Sequence, residues 1–167
     1  MLLWATGSVE VVSRIVSPLR LTVPALWMGL IVGLSFIETP LKFLAPGITT
    51  ALGLGIGRLV FAALSIAGWV LLIALVALAL LPVRESRTGW MLLAGSAAVV
   101  AVQSFVMRPL LAFRSDVIIA GGDPGPSWLH YGYILTELLL LILLLGYLIH
   151  AARPLPSGPL AQSGTAR

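Results

Sequence analysis

The stretch LVFAALSIAGWVLLIALVALALL, Leu59 to Leu81, carries no charged residue, and its one hydroxyl is Ser65. About 20 such residues cross a hydrocarbon core of about 30 Å as an α-helix, because a helix pairs its own backbone N–H and C=O groups where no water can. Working outward, three further stretches have the same character: Thr22 to Ile37, Gly89 to Met107 and Trp128 to Ile149. The fold this predicts is all-α, a four-helix transmembrane bundle. Thr22 to Ile37 is short for a span, so it either crosses with little tilt or enters as a re-entrant segment.

Composition agrees. The chain has 167 residues, 59% hydrophobic and 10% charged, against about 25% charged in an ordinary soluble domain. Its mean hydropathy is +1.08. Ten Lys and Arg against six Asp and Glu give a net charge of +4, but the basic residues sit singly between apolar runs. They read as topology markers, and the expected partner is the lipid bilayer rather than nucleic acid. With no cysteine, disulfides, thiolate metal sites and cysteine nucleophiles are excluded.

Three regions follow. Residues 1–20 lack the basic n-region of a cleaved signal; Val9, Val12, Ile15, Val16 and Leu19 recur near helical spacing, so this segment is either an N-terminal interfacial helix or a flexible lead-in. Residues 21–152 form the four-helix transmembrane domain. Residues 153–167, rich in Pro, Gly and Ser, are expected to be a disordered tail. Pro40 and Pro46-Gly47 are expected to end the first helix, and Thr49 or Thr50 to cap a second that runs through Arg58 to Leu81. AGGDPGPS, Ala120 to Ser127, is expected to connect the third helix to the fourth, with Ser127 at its cap. Gly29 and Gly33, like Gly53 and Gly57, have the small-x-x-x-small spacing that lets helices approach closely.

Orientation follows from Lys and Arg. With both termini cytoplasmic, the inside carries Arg14, Arg20, Arg84, Arg87, Arg153 and Arg167, and the outside Lys42, Arg58, Arg108 and Arg114. The expected location is a bacterial inner membrane, multi-pass.

On this topology Glu38, Arg58, Arg108 and His130 fall near one membrane level, each at or near the outer end of a different helix. Glu137 lies near the middle of the fourth, where a charge costs about 2.5–3.5 kcal/mol on insertion scales. His130, Tyr133 and Glu137 stand at i, i+3 and i+7 and so share a face, and Gln103 lies about 7.5 Å deeper than Arg108. The expectation is a polar cavity floored by Glu137, Tyr133 and Gln103 and rimmed by Glu38, Arg58, Arg108 and His130, with Glu38 the expected ion-pair partner of Arg58. The competing reading is a set of interhelical bonds that fix register alone. His130 and Glu137 lie about 10.5 Å apart along the axis, too far for one metal, so no metal is expected. No serine has a nucleophile-elbow context, and GLGIG, Gly53 to Gly57, lacks the strand a dinucleotide fingerprint needs. No cofactor and no catalytic residue are expected.

The string LWMGLIVGLSFIETPLKFLAPGITTALGLGIGRLVF, with Arg114 in the third-to-fourth connection and SWLHYGYILTE after it, resembles a group of small bacterial four-helix integral membrane proteins of unknown function. It is also distantly similar to the transmembrane-protein-205-like architecture. The likeness spans about Leu26 to Leu145 and implies the four-helix bundle without a reaction. The positions matching its polar pattern are Glu38, Pro40, Lys42, Arg58, Arg114, His130 and Glu137. Three functions are open at this point: binding or passing a small polar or ionic ligand, in a proton-linked form through Glu137 and His130; a non-enzymatic scaffold or assembly subunit, including a homo-oligomer; and an embedded enzyme acting on a lipid or quinone.

Overall fold

The computed structural model describes residues 2–81 and 85–153, with side chains from Arg14 onward within those ranges. Among the described residues there are six α-helices: α1 (Leu2–Ile31), α2 (Thr39–Lys42), α3 (Thr50–Leu80), α4 (Arg87–Val102), α5 (Arg108–Ile119) and α6 (Leu129–Ala152). A π-helical segment, Val32–Glu38, joins α1 to α2, and a second, Gln103–Met107, joins α4 to α5. The result is four helices long and apolar enough to cross a membrane: Arg14–Lys42, Thr50–Leu80, Arg87–Ile119 and Leu129–Ala152.

Two expected boundaries are corrected. The first helix does not stop at Pro40 but continues to Lys42, and the third does not close at Met107 but runs to Ile119. The physical reason is the same in both. A proline inside an α-helix lacks its N–H and crowds the carbonyl four residues back. Here each π segment ends just before such a proline, which occupies one of the first positions of α2 (Pro40) or α5 (Pro109), where the missing donor is not needed. The wider turn carries the chain past it: the Arg108 N–H reaches the Gln103 carbonyl, and Thr39 Oγ1 donates to the Leu34 carbonyl at 2.9 Å. With the helix continuous, the first span has 29 residues, and its expected marginal length is resolved.

The second helix begins where expected. Thr49 is its N-cap, its hydroxyl accepting from the Leu52 N–H at 3.2 Å. Ser86 caps α4 likewise, accepting from Gly89 N–H at 3.0 Å. The third helix ends in Ala120-Gly121-Gly122. Gly121 takes φ of 84°, Gly122 N–H bonds the Val117 carbonyl and Gly121 N–H the Ile118 carbonyl, which satisfies two carbonyls of the last turn. Ser127 Oγ accepts from Leu129 N–H at the start of α6, where Trp128 is the cap.

The helices pack in a ring, α1 on α3, α3 on α4, α4 on α6 and α6 back on α1. On α3, Leu64, Gly68, Leu72, Leu75 and Ala79 face inward at helical spacing, while Leu59, Ile66, Ile73 and Leu80, one every two turns, are exposed. Gly68 is where the first and second spans meet: a Cβ there would lie 3.4 Å from the Trp27 indole, which is itself buried. Gly29 and Gly33 have nothing near their missing side chains, so that pair makes no close helix contact. Gly53 and Gly57 make room for the Phe43 and Lys42 side chains at the end of the first span.

The apolar core is confined to one half of the bundle. It runs from Ile31, Leu64, Val100 and Leu140 down through Leu72, Leu75, Leu93 and Leu144 to Tyr147. Beyond Ile31 and Val102, the first π segment, α2 and α5 contribute no buried residue. There the helices stand apart, and a cavity lies between them.

Candidate functional site: a cavity at the Lys42 end

The cavity has a volume of about 940 Å³ and is lined by residues of all four spans, taken from within 35–43, 53–62, 108–118 and 130–137. Six of the eight residues expected to form a site line it: Arg58, Arg108, Arg114, His130, Tyr133 and Glu137. Gln103 does not. It lines a separate void of about 20 Å³, the size of one water, which also touches Glu137, Tyr133 and Arg108. Gln103 donates instead to Thr136 Oγ1 at 3.2 Å. Glu38 lines neither space.

The expected Glu38–Arg58 pair is not formed. Glu38 pairs one turn along its own helix with Lys42, at 3.2 Å, and Arg58 pairs with Asp116 of α5. Sequence spacing gives depth along a helix but not its rotation, and Asp116 came within reach because the third helix extends beyond Met107. Arg114, expected in a connection, lies in α5 and donates to the carbonyls of Pro124 and Gly125, which ties down the connector.

Four cations line the cavity, and three are already satisfied. Lys42 Nζ bonds Glu38 and lies 5.7 and 5.8 Å from the ring centres of Phe43 and Phe61, within cation–π range. Arg58 has Asp116, and Arg114 has its two carbonyls. Arg108 has no ion pair or hydrogen bond among the described residues, yet it lines both the cavity and the void beneath it.

Glu137 occupies the floor. It lies about 15 Å along the helix from Tyr147 and about 12 Å from Leu129, close to the middle of α6, and it is 2% exposed. Tyr133, one turn along the same face, is also buried, and its ring packs edge-on against Phe61 at 5.4 Å. The Tyr133 and Ser35 hydroxyls are the polar neighbours of the Glu137 carboxyl. Even so, Glu137 Oε2 and Ser35 Oγ are buried without a hydrogen-bond partner among the described residues. Buried polar atoms are normally paired, and leaving one unpaired costs about 1–3 kcal/mol, more when charged. The polar groups just below have partners: Ser65 and Ser104 hydroxyls lie 3.0 Å apart, and Trp69 Nε1 donates to Ser104 at 3.0 Å.

Ser35, Lys42 and Asp116 were not expected at this site. Ser35 stands three residues before Glu38 in an otherwise apolar run, which was the available signal; for Asp116 there was none while α5 was read as a connection.

A second polar cluster, unexpected, closes the opposite end. Glu85 accepts from the Tyr147 hydroxyl at 3.0 Å and lies 3.5 Å from both Arg20 Nη1 and His150 Nε2. Arg20 also donates to the Leu78 carbonyl at 2.8 Å, and Ser86 Oγ lies 2.7 Å from His150 Nε2. This cluster ties together the first, second and fourth spans and the turn before the third. Its two main charges are nearly buried, with side chains 9% exposed for Arg20 and 5% for Glu85.

Among the described residues no group of three His, Asp or Glu side chains is placed to share a metal ion. No protein family, no curated protein and no solved structure matches this chain, so the site's meaning rests on its geometry.

Proposed function

We propose that this chain is a multi-pass protein of a bacterial cell membrane, both termini cytoplasmic, that binds a small ligand in the cavity at the Lys42 end, which faces outward. The observation that carries this reading is a pair of opposed, unused groups in one cavity. Arg108 offers donors with no acceptor, and Glu137 offers a buried oxygen with no donor. A ligand group bridging them would give Arg108 an acceptor and recover the cost of leaving the Glu137 carboxyl short of a donor. The packed core below, from Ile31 and Leu140 to Leu144, argues for a binding site open to one side rather than a continuous pore. Glu137, the one acidic residue in the cavity lining, supplies the proton-linked version of the role. An assembly subunit would instead set these groups against a partner chain; their place inside a cavity, at the floor and wall, favours a ligand that enters it.

Native mass spectrometry of the chain extracted from its membrane tests the proposal without knowledge of the ligand. Wild type is expected to carry a discrete adduct that Arg108→Gln loses. Identical adduct patterns in both would reject the site.

A further inference from the structure

Resting on that reading of the cavity, we infer that its ligand is a single-chain amphiphile with an acidic head, taken from the lipid phase. Three features of the site lead there.

The first is the lining. Apart from the cations, His130 and the Tyr133–Glu137 floor, the walls are built mainly of Phe43, Leu54, Phe61, Leu111, Ile118 and Ile134. A small inorganic anion would leave that surface without a counterpart, whereas an acyl tail covers it. The second is size. At roughly 30 Å³ per non-hydrogen atom, a fatty acid of about 18 such atoms fills about 540 Å³, which a cavity of 940 Å³ admits.

The third is access. The first and fourth spans pack together through α1 and α6, but neither the Val32–Glu38 segment nor α2 makes more than slight contact with α6. In the cavity half these two helices therefore part, with Phe36, Thr39 and Pro40 on one side and His130 and Ile134 on the other. Ile37, Leu41 and Leu135, next in sequence to these lining residues, are exposed apolar side chains, so on the proposed topology the opening meets the bilayer. A lipid can enter there without leaving its own medium. An acid head carrying one hydrogen matches the two lining groups, accepting from Arg108 and donating to the Glu137 carboxyl. Arg114, whose partners are neutral carbonyls, adds a second positive charge without a carboxylate partner beside the same volume.

The test is binding of tritiated palmitate to the full chain in phosphatidylcholine nanodiscs, with empty nanodiscs as the blank and hexadecanol and butyrate as competitors. Saturable binding near one per chain is expected, with hexadecanol competing at least tenfold less well and butyrate not competing. Ala112→Phe, which fills the apolar wall, and Arg108→Gln should each weaken palmitate at least tenfold, while Arg108→Lys stays within about threefold of wild type. The competitor arms use wild type alone, so a poorly folding variant does not decide the result. Butyrate competing as well as palmitate would overturn the tail and leave a small-anion site standing. Hexadecanol competing equally, with Arg108→Gln unchanged, would overturn the acidic head. No palmitate bound above the blank, alongside an adduct in the mass spectrum that depends on Arg108, would overturn the amphiphile and retain the cavity as a site; absence of both would overturn the two together.

Discussion

Replacing Glu85 by Ala strips the carboxylate from the cluster that closes the end of the bundle opposite the cavity. Arg20 and Glu85 are 9% and 5% exposed at the side chain, so solvent screening is slight and the pair behaves as a buried one. Removing one member of a buried ion pair costs about 3–5 kcal/mol, because the other charge stays in place without its partner. Glu85 also accepts from Tyr147, and a hydrogen bond to a charged group is worth about 1.5–3 kcal/mol. Against this, Arg20 keeps its bond to the Leu78 carbonyl, which softens the loss. We expect Glu85→Ala to destabilise by about 3–4 kcal/mol, and Arg20→Met by a comparable amount. Replacing both, Arg20→Met with Glu85→Ala, removes the desolvation cost of both charges but leaves the Tyr147 hydroxyl without its acceptor, so it should cost about 1–3 kcal/mol, a coupling of several kcal/mol against the sum of the singles. Unfolding by sodium dodecyl sulfate in mixed micelles measures all four species. If the double change equals the sum of the singles, Arg20 and Glu85 do not act as a pair, and this end of the bundle is held by something else.

Other consequences are nearer the cavity. Gly53→Ala should destabilise by about 1–3 kcal/mol and push the Phe43 ring aside, while Gly29→Ala, which meets nothing, should be neutral or stabilising by up to about 1 kcal/mol; the same detergent titration separates them. The Arg58–Asp116 pair is 44% and 57% exposed, so either single alanine should cost no more than about 1 kcal/mol, and Arg58→Ala should be additive with Glu38→Gln. For topology, a membrane-impermeant maleimide should label Ala120→Cys from outside intact cells and Thr88→Cys only after lysis; outside labelling of position 88 would reverse the orientation.

The number of spans was legible because each contains a run of apolar residues that has no other stable home in a chain this poor in charge. The cap at Thr49 was legible because a hydroxyl next to a proline-glycine turn has a local geometry of its own. The full length of the third helix was not. Arg108-Pro109 looks like an end, and hydropathy falls there; a π segment absorbs the proline without any mark in composition. That one miss hid Asp116 and with it the partner of Arg58. On α6 the polar stripe could be read from spacing, because His130, Tyr133 and Glu137 share one helix. Contacts between helices need rotation about each axis, which an almost uniformly apolar helix such as α3 does not display. The role of Glu85, in the turn before α4, was hidden for the same reason. The turn lies over the place where Arg20, Tyr147 and His150 converge, and only their shared membrane level hinted at it.

The central claim is a site reachable from the Lys42 end down to Glu137 and sealed below it. The chain has no native cysteine, so single cysteines along α6 test this directly. With a membrane-impermeant maleimide applied to each side of the membrane in turn, Ile134→Cys, in the cavity wall, is expected to react from the Lys42 side alone, and Leu144→Cys, fully buried in the core, from neither. Reaction at position 144, or an inert position 134 in a folded protein, would contradict the account.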